Sequence, residues 1–302
     1  MLAKALKNND LIGIVSPAFC EDIKVIDDKI DTFKKLGFNL LLGKHLYSRS
    51  GYFAGEAIDR ASDLMNMFEN KDVKAIICFR GGYGSINILP YLNYSVIKKN
   101  PKILCGYSDL TTLINYINRK TGLVTFHGPM VNSDFNDDQT LESLKFTLMQ
   151  GYSPYNIPFG GSVCYNEDNT TGILAGGNLA TICSTLGTPY EINFNNKILL
   201  IEEVNEYPYS LDRMLSQLLY SGKLSKCKGF ILGHFTNCTV ENYSKSYTVE
   251  DIIKNILVPL NKPIITGFSF GHDYPNLTLP IGSKIKLNFT SRYIEIMNNV
   301  VI

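Results

Sequence analysis

Over roughly the first 130 residues, short apolar runs alternate with segments whose apolar positions recur every three to four residues. Leu11 to Val15, Phe38 to Leu42, Ala75 to Phe79 and Ile103 to Cys105 read as buried strands, whereas 22–36 and 56–69 carry a helical period. After Cys105 the chain runs Gly-Tyr-Ser-Asp and then sets Leu110, Leu113, Ile114 and Ile117 on one helical face. That stretch predicts a strand, a tight turn and a helix. Strands alternating with helices imply a mainly parallel sheet covered on both faces, with ligands bound outside the carboxyl ends of the strands. Ser16, Arg80 and Ser108 all fall at such ends.

Between about 133 and 170 the pattern gives way to turn formers, Asp-Phe-Asn-Asp-Asp, Pro-Phe-Gly-Gly and Asn-Glu-Asp-Asn-Thr-Thr, around one helix expected over 139–149. Beyond it come a buried run at Ile198 to Ile201, an amphipathic helix carrying Leu211, Met214, Leu215, Leu218 and Leu219, a run at Gly229 to Leu232, and short β-like runs to the end. The expectation is an α/β protein of two domains. Residues 1–150 form an N-terminal, mainly parallel domain, 151–170 a linker, and 171–302 a C-terminal α/β domain richer in β.

Composition narrows the function. With 29 basic and 28 acidic residues, a net charge of +1 and no block of like charge, nothing points to nucleic acid or a membrane surface, and a small polar substrate fits better. No apolar run approaches the ~18 residues needed to span a bilayer, and the N-terminus lacks a secretory core, so a soluble cytoplasmic protein is expected. The seven cysteines are scattered without a C-x-x-C pair, which suits free thiols in a reducing compartment. No clustered ligands call for a metal or cofactor.

The chemistry centres on Ser108. A serine on a strand-to-helix turn projects its hydroxyl above the sheet edge while backbone N–H groups face the same spot, the arrangement of a nucleophile elbow; Ser and Asp also cap helices, which accounts for the same residues without function. A nucleophilic serine needs a base and a group to orient that base. Of the four histidines, His45, His127 and His234 follow apolar stretches, while His272 lies between a glycine and an aspartate in a loop, so His272 and His127 are the leading candidates. For the acid, the run Ile198 to Ile201 ends at Glu202 and Glu203; the alternative is a carboxylate that merely caps or pairs with Arg213.

Six segments in order, Phe79-Arg-Gly-Gly-Tyr-Gly-Ser85, Gly106-Tyr-Ser-Asp109, Phe126-His-Gly-Pro129, Gly176-Gly-Asn-Leu179, Leu200 to Leu215 and Gly267-Phe-Ser-Phe-Gly-His272, followed by Leu279-Pro-Ile-Gly282, resemble the LD-carboxypeptidase family of serine peptidases. The resemblance implies a two-domain arrangement with a cleft between the domains, the N-terminal domain supplying Ser108 as nucleophile and the C-terminal domain Glu202 as the acid and His272 as the base. Glu203 stands where the family more often has Asp. Arg80-Gly-Gly-Tyr-Gly lacks the G-K-[ST] ending of a phosphate loop, so we read it instead as backbone that approaches a ligand closely, with the N–H groups of Gly82 and Asp109 forming an oxyanion hole and Gly81 as the alternative glycine. Arg80 either takes the free carboxylate of a peptide end or forms an internal ion pair, and Tyr107 either lines the pocket or packs.

The resemblance implies a murein tetrapeptide substrate, cut at its L-diaminopimelyl-D-Ala bond during cytoplasmic recycling, and a homodimer. Members similar to the microcin self-immunity enzymes cut peptidyl or aminoacyl-nucleotide conjugates with the same triad and stack the base partly on tryptophan; this chain has no tryptophan. A third reading is a non-catalytic module that binds cell-wall peptides.

Overall fold

A computed structural model describes all residues, Met1–Ile302. In chain order the elements are β1 (Leu11–Val15), α1 (Ile23–Lys34), β2 (Asn39–Leu42), α2 (Ala57–Glu69), β3 (Val73–Cys78), α3 (Ser85–Ile88), α4 (Tyr94–Lys99), β4 (Ile103–Cys105), α5 (Leu110–Thr121), β5 (Thr125–His127) and α6 (Asp138–Gln150). There follow β6 (Tyr155–Pro158), β7 (Val163–Tyr165), β8 (Thr170–Asn178), α7 (Leu179–Ser184), β9 (Lys197–Val204), α8 (Pro208–Tyr220), β10 (Gly229–Thr236), α9 (Val249–Ile256), β11 (Ile264–Thr266), β12 (Leu279–Ile281), β13 (Lys284–Asn288) and β14 (Tyr293–Ile296). The protein is α/β with two sheets, of six and eight strands.

The chain divides into two units, one of residues 1–153 with 277–282 and 299–302, the other of 154–276 with 283–298. In the first the strand order is β12-β5-β4-β3-β1-β2. β2, β1, β3, β4 and β5 run parallel, and their apolar residues are buried at the centre because helices cover such a sheet. α5 buries Leu110, Leu113, Ile114 and Ile117 completely, the face its spacing predicted, and ends at Gly122 in the left-handed region.

In the second unit the order is β6-β14-β13-β8-β9-β10-β11-β7. β8 to β11 form a parallel centre, with antiparallel strands on either side. A core of Leu199, Ile201, Leu211, Leu215, Leu218, Phe230 and Ile253 joins β9 and β10 to α8 and α9. β9 ends the buried run at Glu202 and Glu203, which places two carboxylates at the carboxyl end of a central strand.

Two segments lie elsewhere than their local pattern implied. Residues 151–170 contain β6 and β7, the outermost strands of the second sheet, which are only four and three residues long and partly exposed, so their apolar signal is weak beside the surrounding turn formers. Leu279 to Ile281, far from β5 in sequence, pairs antiparallel with it in the first unit, Leu279 opposite His127 and Ile281 opposite Thr125. A three-residue apolar run does not encode which sheet edge it completes.

Candidate active site

In the first unit, β4 ends at Cys105 and α5 starts at Leu110, leaving four residues to reverse the chain. Ser108 takes φ 64°, left-handed backbone that a residue with a Cβ adopts at a cost of ~1–2 kcal/mol. The Ser108 carbonyl accepts from Thr111 N–H at 2.9 Å and so opens the helix. Strain at one residue of a strand-to-helix turn is what a nucleophile elbow requires.

The glycine loop lies against this turn. A Cβ on Gly81 would sit 2.9 Å from Ser108 Cβ, 3.1 Å from its Oγ and 3.4 Å from Asp109 N, so only glycine lets the loop backbone come this close to the hydroxyl. Gly82 follows with φ 116° against the Phe19 ring and is exposed. Asp109 is buried; its Oδ2 accepts from Ser85 N–H at 2.8 Å and its carbonyl from Ser85 Oγ at 2.7 Å. Burial pushes the Asp109 carboxyl above the usual range, opposed by its bonds to Ser85 and Gly84 and by the Arg60 charge. Arg80 pairs with Glu21, donates to Cys20 O at 3.4 Å and lies over the Phe19 ring, so in this structure its guanidinium is engaged internally. Tyr107 is half-buried, its ring 5.8 Å from that of His127.

In the second unit, His272 Nδ1 lies 2.6 Å from Glu202 Oε2. Glu202 is 0% exposed, and the Gly271 backbone packs on it: with φ 113°, a Cβ on Gly271 would meet Oε2 at 2.8 Å. Gly271 N–H donates to Asn276 Oδ1 at 3.1 Å, which tethers the histidine loop. A buried carboxylate on Nδ1 holds the imidazole in the tautomer whose Nε2 can act as a base.

Glu203 points the other way, as successive strand residues must. Its carboxylate accepts from Asn178 Nδ2 at 2.7 Å, Ala180 N at 2.7 Å and Val204 N at 2.9 Å, and so anchors the start of α7. Burial raises its pKa, these three bonds oppose the rise, and the adjacent Glu202 charge adds to it. Strand alternation thus separates the two glutamates into one facing histidine and one holding a helix.

The other histidines have different surroundings. His127 is wholly buried on β5, His45 Nδ1 lies 3.0 Å from Asp63, and His234 Nε2 lies 3.1 Å from the Pro275 carbonyl. Gly271, Asn276 and Ser85 were not singled out from sequence. The Gly-His dipeptide carried a readable hint of the first, but the partners of Asn276 and Ser85 are set by tertiary contacts.

Residues 12–128 match the LD-carboxypeptidase N-terminal domain, and residues 171–287 match the LD-carboxypeptidase C-terminal domain. A probable murein peptide carboxypeptidase of Bacillus subtilis (strain 168) is 38% identical over 296 residues, covering 94% of this chain and 91% of that protein. Among solved structures, the microcin C7 self-immunity protein in complex with aspartyl sulfamoyl adenosine aligns with a TM-score of 0.92 at 26% identity, over 100% of both chains. The muramoyltetrapeptide carboxypeptidase from Oxalobacter formigenes aligns with a TM-score of 0.83 at 29% identity, over 94% of this chain and 97% of that one.

Proposed function

The chain belongs to the LD-carboxypeptidase family, and from that premise we propose that it is a serine carboxypeptidase acting on murein tetrapeptides. The observation that carries the reading is the 2.6 Å contact between His272 Nδ1 and the wholly buried Glu202, because a buried carboxylate held on Nδ1 orients the imidazole as the acid of a triad does. The strained turn at Ser108, with the Gly81 backbone pressed against the hydroxyl, supports the nucleophile assignment.

In this mechanism Ser108 Oγ attacks the carbonyl of the L-diaminopimelyl-D-Ala bond and His272 Nε2 takes its proton. The N–H groups of Asp109 and Gly82 receive the oxyanion. His272 then protonates the D-Ala amine as it leaves, and water, deprotonated by the same imidazole, frees Ser108 from the acyl group. Glu202 orients and steadies the imidazolium that forms. The substrate would be cell-wall fragments recovered in the cytosol, and the working form a homodimer.

Mass spectrometry of the protein incubated with a tetrapeptide ending in diaminopimelyl-D-Ala tests this. Loss of one D-Ala with the wild-type chain and none with folded Ser108→Ala is expected; turnover by that variant would refute the nucleophile. A second reading, hydrolysis of aminoacyl-nucleotide conjugates, is favoured by the likeness to the self-immunity protein bound to aspartyl sulfamoyl adenosine. Cleavage of such a conjugate without release of D-Ala would select it.

A further inference from the structure

Resting on the serine-hydrolase reading above, we propose that Arg60 is a positioning residue for the oxyanion loop: together with Asp109 it grips the two ends of the Gly84–Ser85 peptide and so registers residues 81–84 against the nucleophile. Arg60 Nη1 donates to the Gly84 carbonyl at 2.9 Å, and Asp109 Oδ2 accepts from the Ser85 N–H at 2.8 Å. These are the two polar ends of one peptide group. With a cation on its oxygen side and a carboxylate on its nitrogen side, the peptide cannot flip without losing two charge-assisted bonds.

The remaining bonds of Arg60 extend the grip. Nη1 also donates to Pro17 O at 2.5 Å and Nε to Gly55 O at 3.2 Å, while the guanidinium lies 4.6 Å from the Phe53 ring centroid. Arg60 is 2% exposed and spends its donors on carbonyls of three separate loops, two of which follow β1 and β3. Ser85 Oγ closes the other side by donating to the Asp109 carbonyl at 2.7 Å. The chain of contacts therefore runs from α2 through one peptide to the residue directly after Ser108.

The arrangement also manages charge. A free carboxylate on the residue that follows the nucleophile would repel a developing oxyanion; here it is turned onto backbone N–H groups, with a cation beyond them. Arg60 thus acts through the loop and touches no substrate.

The test compares Arg60→Met and Arg60→Lys with the wild-type chain for kcat and KM on the tetrapeptide, for thermal unfolding, and for amide exchange across residues 81–85. For Arg60→Met we expect kcat to fall by about 100-fold, the size of losing one oxyanion donor, with KM changed by less than about threefold and faster exchange at Ser85. Arg60→Lys, which keeps the charge and one or two bonds, should recover part of kcat. A kcat equal to wild type, or a loss carried wholly by KM or by unfolding temperature, overturns the proposal. If Arg60→Met does not fold, Arg60→Lys decides: an unchanged kcat refutes the clamp. If the wild-type chain does not release D-Ala, the carboxypeptidase reading fails, and exchange across residues 81–85 alone decides whether the clamp exists.

Discussion

At Ser108 a φ of 64° is paid for by the contacts around it, and the glycine opposite is one of them. Gly81→Ala would bring a methyl to 2.9 Å from Ser108 Cβ and 3.1 Å from Oγ, so the loop must retreat from the hydroxyl. We expect kcat to drop by about 100-fold or more with unfolding temperature little changed, since the defect lies in loop placement; a variant with wild-type kcat would show that the close approach is dispensable. The histidines separate by the same logic. His272→Ala should cost on the order of 10⁶-fold in kcat, the scale of losing a triad histidine, whereas His127→Ala, emptying a buried position on β5, should show mainly as ~1–3 kcal/mol of lost stability. Steady-state kinetics beside thermal melts would check both, and the opposite ranking would move the base to His127.

At the scale of elements, the connections are fastened by buried polar groups. Glu203 anchors α7 through Asn178 and two backbone N–H groups, and Lys102, just before β4, joins the end of α2 to the start of β3 by donating to Asn70 O and Val73 O. Burial, and then the like charge of Lys74, lower the Lys102 amine to about 8. The unfolded chain, with an ordinary lysine pKa, therefore holds a proton between about pH 8 and 10.5 that the folded chain has released, so stability should rise with pH across that window. The gain should be on the order of 1–3 kcal/mol in denaturant titrations, and Lys102→Met should flatten it. A wild-type curve equally flat would contradict the lowered pKa.

For the whole molecule, the order of the chain and the order of the units differ. The first unit takes residues 277–282 and 299–302 from the far end of the sequence, and β12 covers the edge of β5 with Leu279 and Ile281 both 1% exposed. A fragment of residues 1–153 should consequently be destabilised by several kcal/mol, at ~1.5–3 kcal/mol for each of the two lost side chains together with an unpaired strand edge. Limited proteolysis and urea titration would register this as early cleavage and a low midpoint. A fragment as stable as the first unit in the full chain would mean that β12 adds little.

Local periodicity was enough to draw α1, α2, α5, α6 and α8, to set the buried strands ahead of Ser108 and Glu202, and to mark the strand-to-helix turn at residues 106–109. Each depends only on neighbours within a few positions, and amphipathic spacing records which face is buried. It does not record what buries that face. The residues alone left His272 and His127 open as bases, and family resemblance chose between them; the structure sets His272 against Glu202, 70 positions away, and His127 inside the first sheet. Likewise Arg60 shares the buried face of α2 with Ala61, Leu64 and Phe68, an oddity visible in the helical period, yet its partners Pro17, Gly55 and Gly84 come from three loops that only folding brings together. Side-chain alternation made one of two adjacent glutamates face a histidine, and the tertiary fold decided which, because register is fixed by the strands on either side.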